Sequence, residues 1–334
     1  MKTEIMTEEI LPNLYRIEVP LPQNPLKAVN SYVIKAQGQS LIIDTGQNRE
    51  ECMGVLSSGL KELDVDLKKT AFFITHFHPD HLGLVSSLAT ETSTIYFNQQ
   101  DAAIIDSVIS WEDMYYNFAN LHGFPDDEFQ KAYDNHPGIK YGPTERLDFY
   151  FVKEGDTISI GDYSFKCLET PGHTMGHICL YEPDKKILVS GDHILIDITP
   201  NISLRSDDES PLNKYLSSLD KVYNLDVTLV LPGHRRTFKN HKKRIQELKC
   251  HHQTRADEVL SILRYERKNA YQVASQMTWD VTHKSWDLFP SEQKWFAFGE
   301  TMAHLKYLEE KGNIRRELGG RNITFHTVGT KHLS

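Results

Sequence analysis

Three histidines and one aspartate lie within six positions in the segment His76-Phe77-His78-Pro79-Asp80-His81. The segment follows the apolar residues 71–74, which predict a buried strand. Imidazole nitrogens and carboxylate oxygens are ligands that Zn²⁺ prefers in a site that stays open for chemistry. Because alternate residues diverge on a loop that leaves a strand, we expect His76 and His78 to hold one ion, and Asp80 and His81 its neighbour. The segment therefore predicts the beginning of a two-metal site.

Three more side chains that can bind a metal occur downstream in one shared context. Each follows a short predicted strand, and a glycine precedes each and permits a tight backbone path. They are His173 in Thr-Pro-Gly-His, Asp192 in Ser-Gly-Asp and His234 in Leu-Pro-Gly-His. We therefore expect four strand ends to meet at one edge of the fold and to complete the site.

This set of residues resembles the hydrolase, glyoxalase-like branch of the metallo-β-lactamase superfamily. The family pattern is His-x-His-x-Asp-His followed by His, Asp and His on successive strand-end loops, and the resemblance spans roughly residues 8–245, including the strand and turn at 41–46. It implies an α/β fold, the four-layer αββα sandwich. The resemblance also implies the ligand roles. Metal one is held by His76, His78 and His173, and metal two by Asp80, His81 and His234. Asp192 bridges the two metals, and Asp44 supports the ligands without binding a metal itself.

The chain is expected to divide into a catalytic domain at 1–245 and a smaller domain at 246–334. A helical insertion is predicted at about 99–137. Its aromatic residues pack either as a flap on the core or as a lid that supplies an apolar substrate pocket. The candidate pocket residues are Trp111, Tyr115, Tyr116 and Phe118. Arg205, in a loop at 198–206, is either a solvated surface residue or a contact for an anionic substrate group.

Residues 246–334 resemble a winged-helix-like domain of three helices and a hairpin. Thr254 is expected to cap a helix at 253–266, and Ser291 a long helix at 291–311. Such domains often bind nucleic acid, and Arg315, Arg316 and Arg321 fit that function. Acidic residues late in the long helix oppose it. Packing, dimer formation or cleft covering is the favoured alternative.

Composition narrows the class of protein. The formal net charge is −9, whereas residues 249–334 hold 13 Lys+Arg and 10 Asp+Glu, a net of +3, so the remainder carries −12. This charge argues against the whole protein being a nucleic-acid binder. No run of about 18 apolar residues predicts a membrane span, the N-terminus lacks a signal-peptide pattern, and the four cysteines form no Cys-x-x-Cys motif. A cytoplasmic protein is expected, with a homodimer as a further expectation.

Two Zn²⁺ ions per subunit are the expected cofactors, although iron or manganese suits the same ligands. Two adjacent metals are expected to bind a bridging hydroxide near neutral pH. Asp80 is expected to orient this nucleophile. His177 and His193 are candidates for orienting the ligands. The predicted function is hydrolysis of a small-molecule carboxylic ester, thioester or lactone. The alternative is a metal-dependent endoribonuclease of the same fold. An iron-binding redox protein is disfavoured, because that branch usually has Glu at the position of His78.

Overall fold

The structure of the protein is a computed structural model that describes residues 7–106, 111–280 and 285–328, with the backbone alone at 111–114. The strands in the described ranges are β1 Thr7–Leu11, β2 Leu14–Pro20, β3 Ala28–Ala36, β4 Gln39–Ile43, β5 Thr70–Phe73, β6 Ile95–Phe97, β7 Tyr150–Phe151, β8 Thr157–Ile160, β9 Tyr163–Glu169, β10 Ile178–Glu182, β11 Ile187–Gly191, β12 Leu229–Pro232, β13 Ile314–Gly319 and β14 Asn322–Thr327. The helices are α1 Glu50–Glu62, α2 Pro79–Leu82, α3 Val85–Leu88, α4 Gln99–Ile105, α5 Trp111–Leu121, α6 Asp126–Asn135, α7 Pro137–Tyr141, α8 Pro211–Tyr223, α9 His241–Ile262, α10 Ala270–Ala274 and α11 Ser291–Glu310.

Two sheets form the centre of the first compact unit, which comprises residues 1–106, 140–200 and 218–244. One sheet has the order β1-β2-β3-β4-β5-β6-β7, and the other has the order β12-β11-β10-β9-β8. Strands β4 to β7 run parallel to one another, as do β11 and β12. Parallel neighbours end at the same sheet edge, so the loops after β5, β11 and β12 have the positions that the sequence predicts for the ligands.

The two sheets pack face to face through apolar side chains. Strand β9 shows the period of two that this requires: Tyr163, Phe165 and Cys167 are buried, and the residues between them are exposed. They share one core with Phe73 of the first sheet and Val189 of the second. The opposite face of the first sheet is covered by α1, whose Cys52, Leu56 and Leu60 recur at helical spacing and are buried. The chain therefore has the mixed α/β sandwich that its sequence predicts.

The second unit comprises residues 107–139, 201–217 and 245–334. Within it, the insertion helices pack on the C-terminal helix α11. The Phe124 ring lies 5.0 Å from that of Phe298, and the Phe129 ring lies 5.5 Å from that of Trp295. Lys294 of α11 forms an ion pair with Glu128 of α6 at 2.5 Å. The insertion and the C-terminal helices thus share an aromatic core.

Several local expectations differ from the structure. Thr254 was expected to begin a helix, but it lies inside α9, where its hydroxyl donates to the Cys250 carbonyl at 3.0 Å. Helix α9 is therefore continuous across the predicted boundary at 245/246. The cap of α11 is Pro290, and Ser291 is its first residue, with its hydroxyl bonded to Glu128. Two short helices, α2 and α3, follow the metal-binding segment and are separated near Gly83.

No helix in the described ranges combines the length and the apolar character needed to span a lipid bilayer.

Replacing Phe298 with Ala is expected to lower the free energy of unfolding of the second unit by about 3–5 kcal/mol, because the change leaves a cavity in the aromatic core. Urea unfolding followed by tryptophan fluorescence reports on this unit, since all four tryptophans (111, 279, 286 and 295) belong to it. Tyr265→Ala is the control, because that side chain is 80% exposed and its loss is expected to change the free energy by less than about 0.5 kcal/mol. Equal midpoints for the two variants would contradict the assignment of Phe298 to the core.

Candidate metal centre

Three histidines converge in one half of the site. His76 and His78 lie on the loop after β5, and His173 lies on the loop after β9. The His78 Nδ1 atom lies 3.0 Å from His76 Nε2 and 2.9 Å from His173 Nε2. A single proton on His78 Nδ1 can serve only one of these two nitrogens. The three rings are therefore arranged around a point where a cation would relieve the repulsion of their lone pairs.

The other half of the site combines Asp80, His81 and His234. Asp80 and His81 belong to α2, and His234 follows β12. The His234 Nε2 atom lies 3.4 Å from Asp80 Oδ2, and His81 Nε2 lies 3.9 Å from the same oxygen. All three side chains are buried. The structure thus brings together residues that are more than 150 positions apart in the sequence.

Asp192 lies between the two halves. Its Oδ2 atom is 3.6 Å from His173 Nε2 and 3.3 Å from His234 Nε2, and its Oδ1 atom is 3.6 Å from His81 Nε2. One carboxylate therefore reaches nitrogens of both halves, which is the position that the sequence analysis expects for a bridging ligand. Its ligand role, like those of the other six side chains, stays a prediction.

The donor set fits divalent metal ions. Ligand nitrogens at 2.0–2.1 Å from a tetrahedral zinc are about 3.3 Å from one another, and the inward-facing atoms of this site are separated by similar distances. The donor atoms form three groups, and within each group they all lie within 4.8 Å of one another. The groups are His76, His78 and His173; His76, His81 and Asp192; and Asp80, His81 and His234. In addition, His81 Nε2, His234 Nε2 and Asp192 Oδ1 are buried without a hydrogen-bond partner among the described residues. Buried polar atoms are normally satisfied, so these three atoms indicate a ligand.

Hydrogen bonds on the outer sides of the rings fix their tautomers. His81 Nδ1 donates to Asp44 Oδ2 at 2.8 Å. The Thr75 hydroxyl donates to the same carboxylate at 2.9 Å, so it must accept from His76 Nδ1, which lies 3.0 Å away. His234 Nδ1 donates to the Ala28 carbonyl at 2.6 Å. With its single proton on Nδ1, each of these three rings can offer the lone pair of Nε2 to a metal ion, as a ligand must.

His177 orients Asp192 rather than facing the donor cluster. Burial holds the pKa of His177 well below its usual range, so the ring is neutral. Its Nε2 accepts the backbone N–H of Asp192 at 3.2 Å, and its Nδ1 donates to the Thr170 hydroxyl at 2.8 Å. The ring of His193, also buried, lies 6.2 Å from that of His177.

The two halves differ in their electrostatic surroundings. Burial, followed by the neighbouring imidazoles of His81 and His78, holds the pKa of His76 well below its usual range. Burial acts in the same direction on His234, but the carboxylates of Asp192 and Asp80 outweigh it and raise the pKa of His234 to about 10. The surroundings of His76 therefore favour an uncharged imidazole, whereas the carboxylates around His234 stabilise a positive charge in their half of the site.

Sequence reasoning missed two side chains that hold the ligand loops. Asn30 of β3 donates from Nδ2 to the carbonyls of Pro232 and Arg235, at 2.9 and 2.7 Å, on either side of His234. Asp101 of α4, fully buried, accepts hydrogen bonds from the loop of His76 and from the loop of His173. A polar residue inside the apolar strand β3, and one just beyond β6, were the available signals.

The predicted pocket residues belong to the second unit. Tyr115 is buried, and its ring lies 6.3 Å from that of Trp295. Tyr116 is partly exposed, with its hydroxyl donating to Asp126 at 3.1 Å, and the Phe118 ring lies 4.6 Å from that of His122. The side chain of Trp111 lies outside the described part of the chain.

Arg205 has several titratable neighbours in the same unit. Burial, and then the charge of Arg205, lowers the pKa of His136 to about 3. Burial raises the pKa of Tyr115, and Arg205 opposes that rise. Arg205 therefore lies among buried side chains rather than in a fully solvated position, and its contact with a substrate remains a prediction.

Two family models match the chain. Residues 24–234 match the model of the metallo-beta-lactamase superfamily, and residues 257–328 match that of the metallo-beta-lactamase-like C-terminal domain. The chain is 26% identical to the probable metallo-hydrolase YqjP of Bacillus subtilis strain 168, over 96% of this chain and 99% of that protein. It is 23% identical to an atrochrysone carboxyl ACP thioesterase of Aspergillus fumigatus, over 76% and 69% of the two chains. The crystal structure of a metallo-beta-lactamase family protein from Thermus thermophilus superposes with a TM-score of 0.80 at 27% identity, covering 96% of this chain and all of that one.

Gly233 is packed against the donor atoms, and its replacement tests their geometry. A Cβ atom at this position would lie 2.5 Å from Asp192 Oδ1 and 2.8 Å from His81 Cε1. Gly233→Ala is therefore expected to weaken Zn²⁺ binding by about 10- to 100-fold, the usual effect of disturbing the surroundings of metal ligands. Competition with a chromophoric chelator measures the affinity. The matched control is Gly54→Ala, since a Cβ there meets nothing within 4 Å; equal zinc affinity in both variants would contradict the site.

Proposed function

The chain belongs to the metallo-beta-lactamase superfamily and is a metal-dependent hydrolase, and from this premise we propose that it cleaves a small-molecule acyl compound with two bound Zn²⁺ ions. Carboxylic esters, thioesters and lactones form the substrate class. One observation carries the proposal. Seven buried or half-buried side chains bring their donor atoms to ligand spacing around a shared carboxylate, Asp192.

The chain's own residues divide the work of such a hydrolysis. When bound, a pair of divalent ions lowers the pKa of water toward about 7 and so supplies hydroxide at neutral pH. Asp192 touches both halves of the site and keeps their donors at a fixed separation. Asp80, whose Oδ2 faces His234, accepts a hydrogen bond from the nucleophile and orients it toward the acyl carbon. A new C–O bond forms, and the bond to the leaving oxygen or sulfur breaks.

Thioesters are the preferred members of this substrate class. Two of the fungal relatives carry the name atrochrysone carboxyl ACP thioesterase. A thiolate is a better leaving group than an alkoxide, so the site needs no dedicated acid to protonate it.

An endoribonuclease activity is the second candidate, and charge pairing in the second unit disfavours it. The guanidinium group of Arg316 forms ion pairs with Glu309 at 2.5 Å and Asp207 at 2.6 Å. Arg267 is paired with Glu317 at 2.5 Å. A phosphate would have to displace these carboxylates, so the hairpin offers less positive charge than its sequence suggests.

A substrate panel tests the proposal. Acyl thioesters, esters, lactones and single-stranded RNA are incubated with zinc-loaded protein and with the Asp192→Asn variant. Wild type is expected to hydrolyse a thioester, and Asp192→Asn is expected to lose at least about 100-fold in kcat/KM, because several kcal/mol of charge stabilisation depend on the metals. The matched control is Asp197→Asn, which removes an exposed carboxylate that pairs with Arg236 rather than with any of the donor atoms.

Two results would redirect the proposal. A measured content of fewer than two zinc ions per chain in the wild-type protein would contradict the dinuclear site. Cleavage of RNA without cleavage of any acyl compound, with binding that weakens steeply as salt rises from about 50 to 200 mM, would favour the endoribonuclease, since phosphate contacts have that salt dependence.

A further inference from the structure

The buried carboxylate of Asp101 joins the two loops that supply the three-histidine half of the site. It is completely inaccessible to solvent. Its Oδ2 atom accepts the backbone N–H of Phe77 at 3.0 Å, and Phe77 is the residue between His76 and His78. The same oxygen accepts the hydroxyl of Thr174, the residue after His173, at 2.8 Å.

A third hydrogen bond extends this connection. The Asp101 Oδ1 atom accepts the backbone N–H of Gly176 at 2.7 Å. A Cβ at Gly176 would lie 2.6 Å from that oxygen and 2.6 Å from Asn98 Oδ1, so the loop can approach α4 this closely only because residue 176 has no side chain. One carboxylate thus holds at least three donors from two loops that are about 100 positions apart in the sequence.

The other half of the site has different supports. His81 is held by Asp44 at 2.8 Å, and His234 by the Ala28 carbonyl at 2.6 Å. None of the hydrogen bonds described for Asp101 goes to Asp80, His81 or His234. Asp101 therefore supports the three-histidine half, whereas Asp44 holds His81 directly and His76 through the Thr75 hydroxyl.

We propose that Asp101 is a positioning residue for the three-histidine half, setting the distance between the His76–His78 loop and the His173 loop and thereby the metal affinity of that half alone. The inference rests on the proposed function in that it assumes metal binding. Its consequence is that a substitution of Asp101 weakens the binding of one ion and leaves the binding of the other nearly unchanged.

Each half is tested in isolation in the full-length chain. His234→Ala retains the three-histidine half, and His78→Ala retains the half with Asp80. Asp101→Asn is added to each background, and Zn²⁺ affinity is measured by competition with a chromophoric chelator. Asp101→Asn preserves shape but turns one acceptor into an NH₂ group that faces an N–H or O–H donor. Asp101→Asn is expected to weaken zinc binding by about 10- to 100-fold in the His234→Ala background, which is the usual effect of substituting residues that support metal ligands. In the His78→Ala background we expect a loss of less than about threefold.

Thr174 provides a milder and independent test. Thr174→Val removes one hydrogen bond to Asp101 and keeps the side-chain shape, whereas Thr174→Ser keeps the hydroxyl. We expect a loss of affinity with Val and its recovery with Ser, again in the His234→Ala background only. This pair decides the matter if Asp101→Asn does not fold, which melting of the zinc-free protein by circular dichroism reveals.

Equal weakening in both backgrounds would reduce Asp101 to a general structural role, and unchanged affinity in the His234→Ala background would remove the inference altogether. Neither result touches the proposed function, which fails instead if wild type takes up fewer than two ions or hydrolyses no acyl compound. The two ideas can therefore fail separately.

Discussion

Crowding of lone pairs is the constraint on which the site depends. Imidazole nitrogens lie as little as 2.9 Å apart, and a buried carboxylate lies among them. Without a cation, such an arrangement repels itself and loses hydration, both of which cost free energy. It persists only if the surrounding structure fixes each ring more strongly than the rings repel one another. Most of the buried hydrogen bonds around the site can be understood from this requirement.

The fold meets the requirement by giving the ligands anchors from different elements. Asp44, which adopts a left-handed backbone conformation at the end of β4, accepts from Thr75 and His81. Asn30 of β3 holds the loop of His234, and His177 holds the backbone of Asp192. The strands are packed and rigid, so an anchor on one strand fixes a loop on another. The strands of the sandwich therefore fix the positions of the loops, and the loops carry the side chains that are proposed to bind the metals.

Sequence predicted the part of this arrangement that is local or repeated. The six-residue segment and the Gly-then-ligand pattern after three strands are visible without coordinates, and they led to the αββα fold. Asp101 and Asn30 were missed because their partners lie 24 to 75 and more than 200 positions away, and a single polar residue in or near a strand does not reveal which loop it holds. Thr254 was misread for the opposite reason: a capping residue type also occurs inside helices, where its hydroxyl bonds the preceding turn. The sequence did not decide whether the aromatic residues of the insertion line a pocket, because an aromatic pattern predicts that side chains are buried but not which residues they pack against.

The two halves contain different kinds of ligand, and this difference explains why the three-histidine half needs the additional support of Asp101. Around Asp80, the carboxylates attract a divalent ion through their charge as well as through direct coordination. Around His76, His78 and His173 the ligands are neutral, and attraction acts only when all three lone pairs point at one place. Metal affinity in this half therefore depends on how well the three rings are positioned before the ion binds, and buried hydrogen bonds control that positioning. A carboxylate that bonds both loops, as Asp101 does, is the kind of support that such a half requires.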